Sequence, residues 1–226
     1  MRKEKFEYNG YTCVLYLQKD PQFLLVQPVD RRDLQEDTAF ETICSLGDRP
    51  FLYLAVAVND WNKDLSPWEA PPVFGREDFG NGAGNTLTLL TEIINKVSAD
   101  RAADLPVILG GYSLAGLFAL WTAYQTDRFA AVAAVSPSVW FPEWIGYAET
   151  HSPLVRKIYL SLGDKEEKTR NPVMAQVGSC IRRQLELLQK DETVGDCVLE
   201  MNEGNHFKDP DKRCAKAFVW CMHVQP

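Results

Sequence analysis

The stretch LGGYSLAGLFAL, residues 109–120, sets two glycines, a tyrosine and a serine between a short apolar run and an apolar helical pattern. Pro106 to Leu109 reads as a buried strand, and Leu117, Leu120, Trp121 and Tyr124 recur at helical spacing. A serine on so tight a strand-to-helix turn projects its hydroxyl above the sheet, and the residues two before and two after it must be small. Gly111-Tyr112-Ser113-Leu114-Ala115 has that form, with alanine in place of the last glycine of G-x-S-x-G and Gly116 behind it. The segment fails as a phosphate-binding turn, because Tyr112 stands where G-x-G-x-x-G needs glycine and no lysine follows for a P-loop. A plain helix N-cap is the competing role for Ser113.

A serine hydroxyl becomes a nucleophile when a base takes its proton. In a strand-turn-helix setting the chain order is serine, acid, histidine, each at the end of a later strand. Of the three histidines, His151 precedes any later strand end that bears an acid, and His223 falls in the closing helical stretch. His206, in NEGNHF after the last strand, stands where the base is needed. The acid belongs after the strand RKIYLSLG, where the turn offers Asp164, Glu166 and Glu167. Spacing does not choose among the three, and a run such as DKEEK also reads as a solvated turn. The acid would fix the imidazole tautomer and stabilise the cation that forms. An oxyanion needs donors waiting for it: the backbone N–H of Leu114, and one from the loop after an earlier strand, VDRR, at Asp30 or Arg31. Tyr112, Trp61, Trp140, Phe141 and Trp144 are candidate walls of a substrate pocket, and filling the core is their alternative role.

The elements that must position these groups follow from pattern. Asn9-Gly10 between two β-rich runs signals a hairpin. QFLLVQPVD and the continuous apolar run PFLYLAVAV read as buried strands, with a short helix, DTAFETICSL, between them. Residues 59–84 form a long loop carrying Trp61, Trp68, Phe74 and Phe79, too aromatic for a disordered segment. A helix is expected over residues 85–98, then the strand into Ser113 and its helix. RFAAVAAVSPS and VRKIYLSLGD are further buried strands, RNPVMAQVGSCIRRQLELLQK a long helix, DCVLEMN the last strand and DKRCAKAFVWCMH the closing helix. Strands alternating with helices imply an α/β fold, a mostly parallel twisted sheet covered on both faces, with an antiparallel hairpin at its start. No repeat or linker divides the 226 residues, so one domain is expected. Seventeen residues from Pro137 to Pro153 leave no room for a large lid.

Composition excludes several classes. With 46% hydrophobic and 24% charged residues the chain has the make-up of a soluble globular protein, and no apolar run approaches the roughly 20 residues that cross a bilayer. A net charge of −7 argues against a nucleic-acid partner, which needs a concentrated basic face. MRKEKFEYNGY has a basic start with no apolar block after it, so no secretory signal is read there and the cytosol is expected. The six cysteines form no C-x-x-C pair and no metal-ligand spacing, and they are expected to be reduced.

Together these residues resemble the esterases of the esterase D and enterochelin-esterase type, within the α/β-hydrolase superfamily. The resemblance covers most of the chain: FGNGAGNTLTLLTEII is similar to the turn and helix that precede the elbow, GYSLAGLFAL to the elbow, AAVSPSVWF to the next strand and its exit, and GNHF to the histidine loop. It implies an α/β-hydrolase fold and a serine hydrolase of a small-molecule ester, with no metal or organic cofactor. It also implies an acid three residues after the glycine that ends the strand, which is Glu166, with Asp164 the second choice. The chain departs from the pattern at Ala115 and in carrying glutamate where many members have aspartate. Acyl transfer to an alcohol, and a catalytically silent fold used for binding, are the alternatives.

Overall fold

The computed structural model describes residues 2–73, 75–101 and 104–223; Phe74, placed above in the aromatic loop, lies outside the described residues. Asn9 and Gly10 both take positive φ, 46° and 82°. Two such residues make the tight turn whose twist matches that of paired strands. They join β1 (Arg2–Tyr8) to β2 (Tyr11–Leu17) as an antiparallel hairpin. Then come β3 (Phe23–Val29), β4 (Phe51–Ala57), β5 (Val107–Tyr112), β6 (Ala131–Val135), β7 (Lys157–Gly163) and β8 (Asp196–Asn202). The eight strands form one sheet in the order β1-β2-β4-β3-β5-β6-β7-β8. β2 meets β4 antiparallel, and every pairing from β4 to β8 is parallel.

Successive side chains of a strand point to opposite faces, so a run apolar at every position feeds two cores. In β4, Leu52, Leu54 and Val56 face one core while Phe51, Tyr53 and Ala55 face the other. The second core is closed by α1 (Thr38–Leu46), through Phe40 and Ile43, and by the C-terminal helix over Pro210–Met222, through Cys214, Ala217, Phe218 and Cys221. The first is closed by helices over Ala83–Arg101, Leu114–Thr122, Trp144–Thr150 and Val177–Lys190. With the short α2 (Trp61–Asp64) these are α3, α4, α5 and α6 in turn, and the C-terminal helix is α7.

Two expectations need correction. The helix expected over residues 85–98 spans Ala83–Arg101, and the long loop before it is built rather than bare: it holds α2 and a bridge from Ala70 to Phe79, and Trp68 Nε1 donates to the Pro142 carbonyl at 3.0 Å. The helix expected from Arg170 begins as a 3₁₀ turn, Met174–Gln176, and becomes α-helical only at Val177. Asn171 Oδ1 accepts from the amides of Val173 and Met174, so its side chain starts the turn in place of an earlier helical residue.

Because β3, β5, β6, β7 and β8 are parallel, their carboxyl ends share one edge of the sheet. Ligands of open α/β sheets bind beyond that edge. The loops leaving it carry Asp30 and Arg31, Ser113, Ser136, residues 164–168, and residues 203–208.

Candidate active site

Ser113 sits between β5 and α4 with φ 60° and ψ −120°, a backbone region sparsely populated by side-chain-bearing residues. Such a conformation costs on the order of 1–3 kcal/mol and persists only where its surroundings fix it. Here they do. The Ser113 amide donates to Val135 O at 3.0 Å, and its carbonyl accepts from Leu117 and Ser138 at 3.0 and 3.1 Å. Gly111 must lack a side chain, because a Cβ there would overlap the Ala115 carbonyl. Alanine is accommodated at 115 because α4 comes nearest β6 one residue later: a Cβ on Gly116 would stand 2.8 Å from Val135 O.

His206, in the loop after β8, places Nε2 3.0 Å from Ser113 Oγ and Nδ1 2.7 Å from Glu166 Oε2. An ionised carboxylate only accepts, so Nδ1 carries the proton and Nε2 presents its lone pair to the hydroxyl. Glu166 opens a 3₁₀ turn after β7 and is buried, at 7% exposure. Its other oxygen, Oε1, accepts from the Gly163 amide at 2.7 Å, Ser136 Oγ at 2.7 Å and Arg213 Nη1 at 2.8 Å. Burial pushes the carboxyl pKa up, and the hydrogen bond and charge of His206 with the Ser136 and Gly163 donors outweigh it, so Glu166 ends below the ordinary glutamate value.

Of the acids in this turn the structure brings Glu166 to the imidazole and sends the others elsewhere. Asp164 Oδ1 accepts from the Gly204 amide at 2.7 Å, bracing the histidine loop from outside, and Glu167 pairs with Arg182 at 3.1 Å. The sequence reading missed two partners. Ser136 leaves β6 at φ 43° and donates to Glu166. Arg213 of α7 is 2% exposed; besides Glu166, its Nη1 reaches Ser136 Oγ and Tyr112 OH, and its Nη2 donates to the carbonyls of Glu203 and Asn205 at 3.1 and 2.9 Å.

Tyr112 is not in the lining of the cavity in front of Ser113: its hydroxyl, with a pKa pushed up to about 12 by burial, donates to the His206 carbonyl. Trp61 heads α2 and packs against the core instead, and Phe141 and Trp144 are core residues at 2% and 0% exposure. Trp140 does line the cavity in front of Ser113 and His206, which measures about 570 Å³; its remaining walls come largely from residues 165–177 and 205–207. Leu114 is the first residue of α4, where an amide has no intrahelical acceptor. The Asp30 amide is taken by Asp33 Oδ2 at 3.2 Å. The loop follows β3, the sheet neighbour of β5.

His151 stacks on Tyr147 and His223 caps α7, so neither approaches the serine. Among the described residues no group of three or more His, Cys, Asp or Glu side chains could hold a metal ion, and no helix is long and apolar enough to cross a membrane. All six cysteines are free thiols.

No protein-family model matches the chain, and no curated protein matches it in sequence. Solved structures do match it. The siderophore hydrolase EstB from Aspergillus nidulans superposes with a TM-score of 0.78 at 17% identity, over 99% of this chain and 96% of that one. The siderophore hydrolase EstA from the same organism gives 0.73 at 18%, over 100% and 95%. An IroE-like serine hydrolase from Shewanella oneidensis gives 0.79 at 14%, over 97% and 79%. At such identities the likeness is one of backbone, and with the strand order above it establishes that this chain has the α/β-hydrolase fold.

Proposed function

We propose that the chain hydrolyses carboxylic esters through an acyl-serine intermediate. The observation that carries this reading is one relay: Ser113 Oγ at 3.0 Å from His206 Nε2, with His206 Nδ1 at 2.7 Å from the buried Glu166. In the first half-reaction Oγ attacks the ester carbonyl as its proton passes to Nε2. Glu166 steadies the resulting imidazolium. The amides of Leu114 and Arg31 receive the oxyanion, an electrostatic contribution that is usually large. Collapse of the tetrahedral adduct breaks the bond to the alcohol, which leaves with the proton held on Nε2. Water then repeats the sequence, releasing the carboxylic acid and restoring the serine. The named hydrolases that share the fold support hydrolysis as the reaction.

The test is hydrolysis of 4-nitrophenyl butanoate by wild type and Ser113→Ala, with fluorophosphonate labelling of both. A fall of about 10⁴-fold or more is expected in the variant, and labelling of the wild type alone. Retained turnover in Ser113→Ala, or folded wild type that neither labels nor turns over, overturns the reading; the latter marks a silent binding fold.

A further inference from the structure

The cavity in front of Ser113 differs in charge from the rest of the molecule. The chain as a whole carries −7. Two lysines line this cavity, Lys165 and Lys168, both exposed and neither in an ion pair among the described residues. The single carboxylate in its wall, Glu166, is buried and already committed to His206 and Arg213. The acids nearest in sequence are answered elsewhere: Glu167 by Arg182, Glu203 by Lys208 at 2.8 Å with Lys165 adding to its field, and Asp164 by the Gly204 amide. The cavity wall therefore carries two ammonium groups against one buried carboxylate.

A second observation is independent of charge. Phe207 lines the same cavity at 85% exposure, more than any other large hydrophobic side chain among those described. The Phe207 amide donates to Asn205 Oδ1 at 3.0 Å, and its ring meets His206 edge-on with centroids 5.5 Å apart. The apolar parts of Trp140, Met174 and Val177 line the same cavity. With them Phe207 gives the cavity beside Ser113 and His206 a partly apolar lining, the make-up of a ligand site.

We propose that this site selects esters with an apolar, preferably aromatic, body and a negative charge remote from the scissile bond. The body lies between Phe207 and the wall of Trp140, Met174 and Val177, and the anion meets Lys165 and Lys168. The inference rests on Ser113 being the nucleophile and narrows the substrate class of that site.

The experiment measures kcat/KM for two matched pairs, with the charge on the acyl side in one and on the alcohol side in the other: 4-nitrophenyl 4-carboxybenzoate against its 4-carbamoyl analogue, and 4-carboxyphenyl butanoate against 4-carbamoylphenyl butanoate. The anionic-to-neutral ratio is compared between wild type and Lys165→Gln/Lys168→Gln, so that intrinsic ester reactivity and any general loss cancel. One unit charge at roughly 7 Å in water changes affinity about threefold, so losing both lysines lowers the ratio about ninefold in at least one pair. Raising the salt to about 1 M, where screening acts within about 3 Å, produces the same collapse in wild type. Phe207→Ala is expected to lower kcat/KM for the aromatic acyl pair more than for 4-nitrophenyl butanoate. Ratios unchanged by both neutralisation and salt in both pairs overturn the proposal. If 4-nitrophenyl butanoate is itself turned over by wild type and lost in Ser113→Ala, that failure leaves the nucleophile assignment standing; if it is not turned over, the assignment falls first.

Discussion

Removing the guanidinium of Arg213 tests whether the site is held from beneath the sheet edge rather than by the contacts among Ser113, His206 and Glu166 alone. Arg213→Met keeps most of the apolar volume and deletes five hydrogen bonds: to Glu166, Ser136 and Tyr112 from Nη1, and to the carbonyls of Glu203 and Asn205 from Nη2. Breaking one partner of a buried ion pair costs about 3–5 kcal/mol. Glu166 Oε1 keeps the Gly163 amide and the Ser136 hydroxyl, and Oε2 keeps His206, so the low end applies, about 3 kcal/mol. In a chain of this length that corresponds to a fall in Tm of about 6–12 °C. The effect on turnover is separate. His206 rides on a loop pinned by Arg213 at Asn205 O, by Tyr112 at His206 O and by Asp164 at the Gly204 amide. With the first pin gone the imidazole is displaced, and a displacement near 1 Å costs about 100-fold in kcat.

Arg213 does not line the cavity, so KM is expected to hold. Loss of the guanidinium 2.8 Å from Glu166 Oε1 removes a partner of the ionised carboxylate, so the pH at which turnover falls on the acid side is expected to rise. Arg213→Lys restores the charge but not the two-pronged geometry and should recover stability ahead of turnover. Thermal unfolding by circular dichroism, with kcat and KM for a 4-nitrophenyl ester across the pH range, reads all four quantities. An Arg213→Met protein that melts with wild type and turns over within twofold of it would show that the buried guanidinium positions nothing.

Other substitutions separate the neighbouring roles. Glu166→Gln, which allows the wrong imidazole tautomer, is expected to lose about 10⁴-fold in kcat, whereas Asp164→Asn keeps an oxygen for the Gly204 amide and should stay within about tenfold. Equal losses in steady-state assays would mean the acid has been misassigned. Gly111→Ala drives a methyl group into the Ala115 carbonyl and should cost about 3 kcal/mol in denaturant unfolding; a neutral outcome would mean that β5 and α4 approach less closely than described. Glu166 has a lowered folded pKa against an ordinary value of 4.5, so its stabilisation is fully present above about pH 4.5 and lost as the pH falls through the lower folded value. Wild type should therefore lose stability over that acid range more steeply than Glu166→Gln, as measured by unfolding free energy against pH.

The turn at Ser113 and the approach of His206 to it were legible because their requirements are local. A small-x-Ser-x-small turn is a constraint on five adjacent residues, and only one of the three histidines stands in the loop directly after the last strand. The hairpin at Asn9-Gly10 and the two-faced β4 were readable for the same reason, since turn chemistry and strand period act over a few residues. The acid was not, because Asp164, Glu166 and Glu167 share one turn and differ only in where that turn aims them. The 3₁₀ geometry folds Glu166 inward, to 7% exposure, and leaves its neighbours outside. The aromatic walls divided along a similar line. Trp140 and Phe141 are adjacent, yet only Trp140 lines the cavity, which no composition argument separates.

Arg213 shows what a sequence pattern conceals. In DKRCAKAFVWCMH the apolar stripe is Cys214, Ala217, Phe218 and Cys221, and Arg213 lies four residues before Ala217, on the flank of that stripe. Helical spacing places it at the edge of the core, and charge by itself directs such a side chain to solvent. A buried guanidinium must find acceptors, and those here are distant: a carboxylate 47 residues earlier, a tyrosine 101 earlier, and two loop carbonyls. The same contacts account for glutamate at 166. One oxygen faces His206 while the other gathers Gly163, Ser136 and Arg213, so the carboxylate spans two clusters at once. A side chain shorter by one methylene would have to give up one of them. The acid, the buried cation and the histidine loop are thus one mechanical unit, in which α7 sets the imidazole as directly as the loop that carries it.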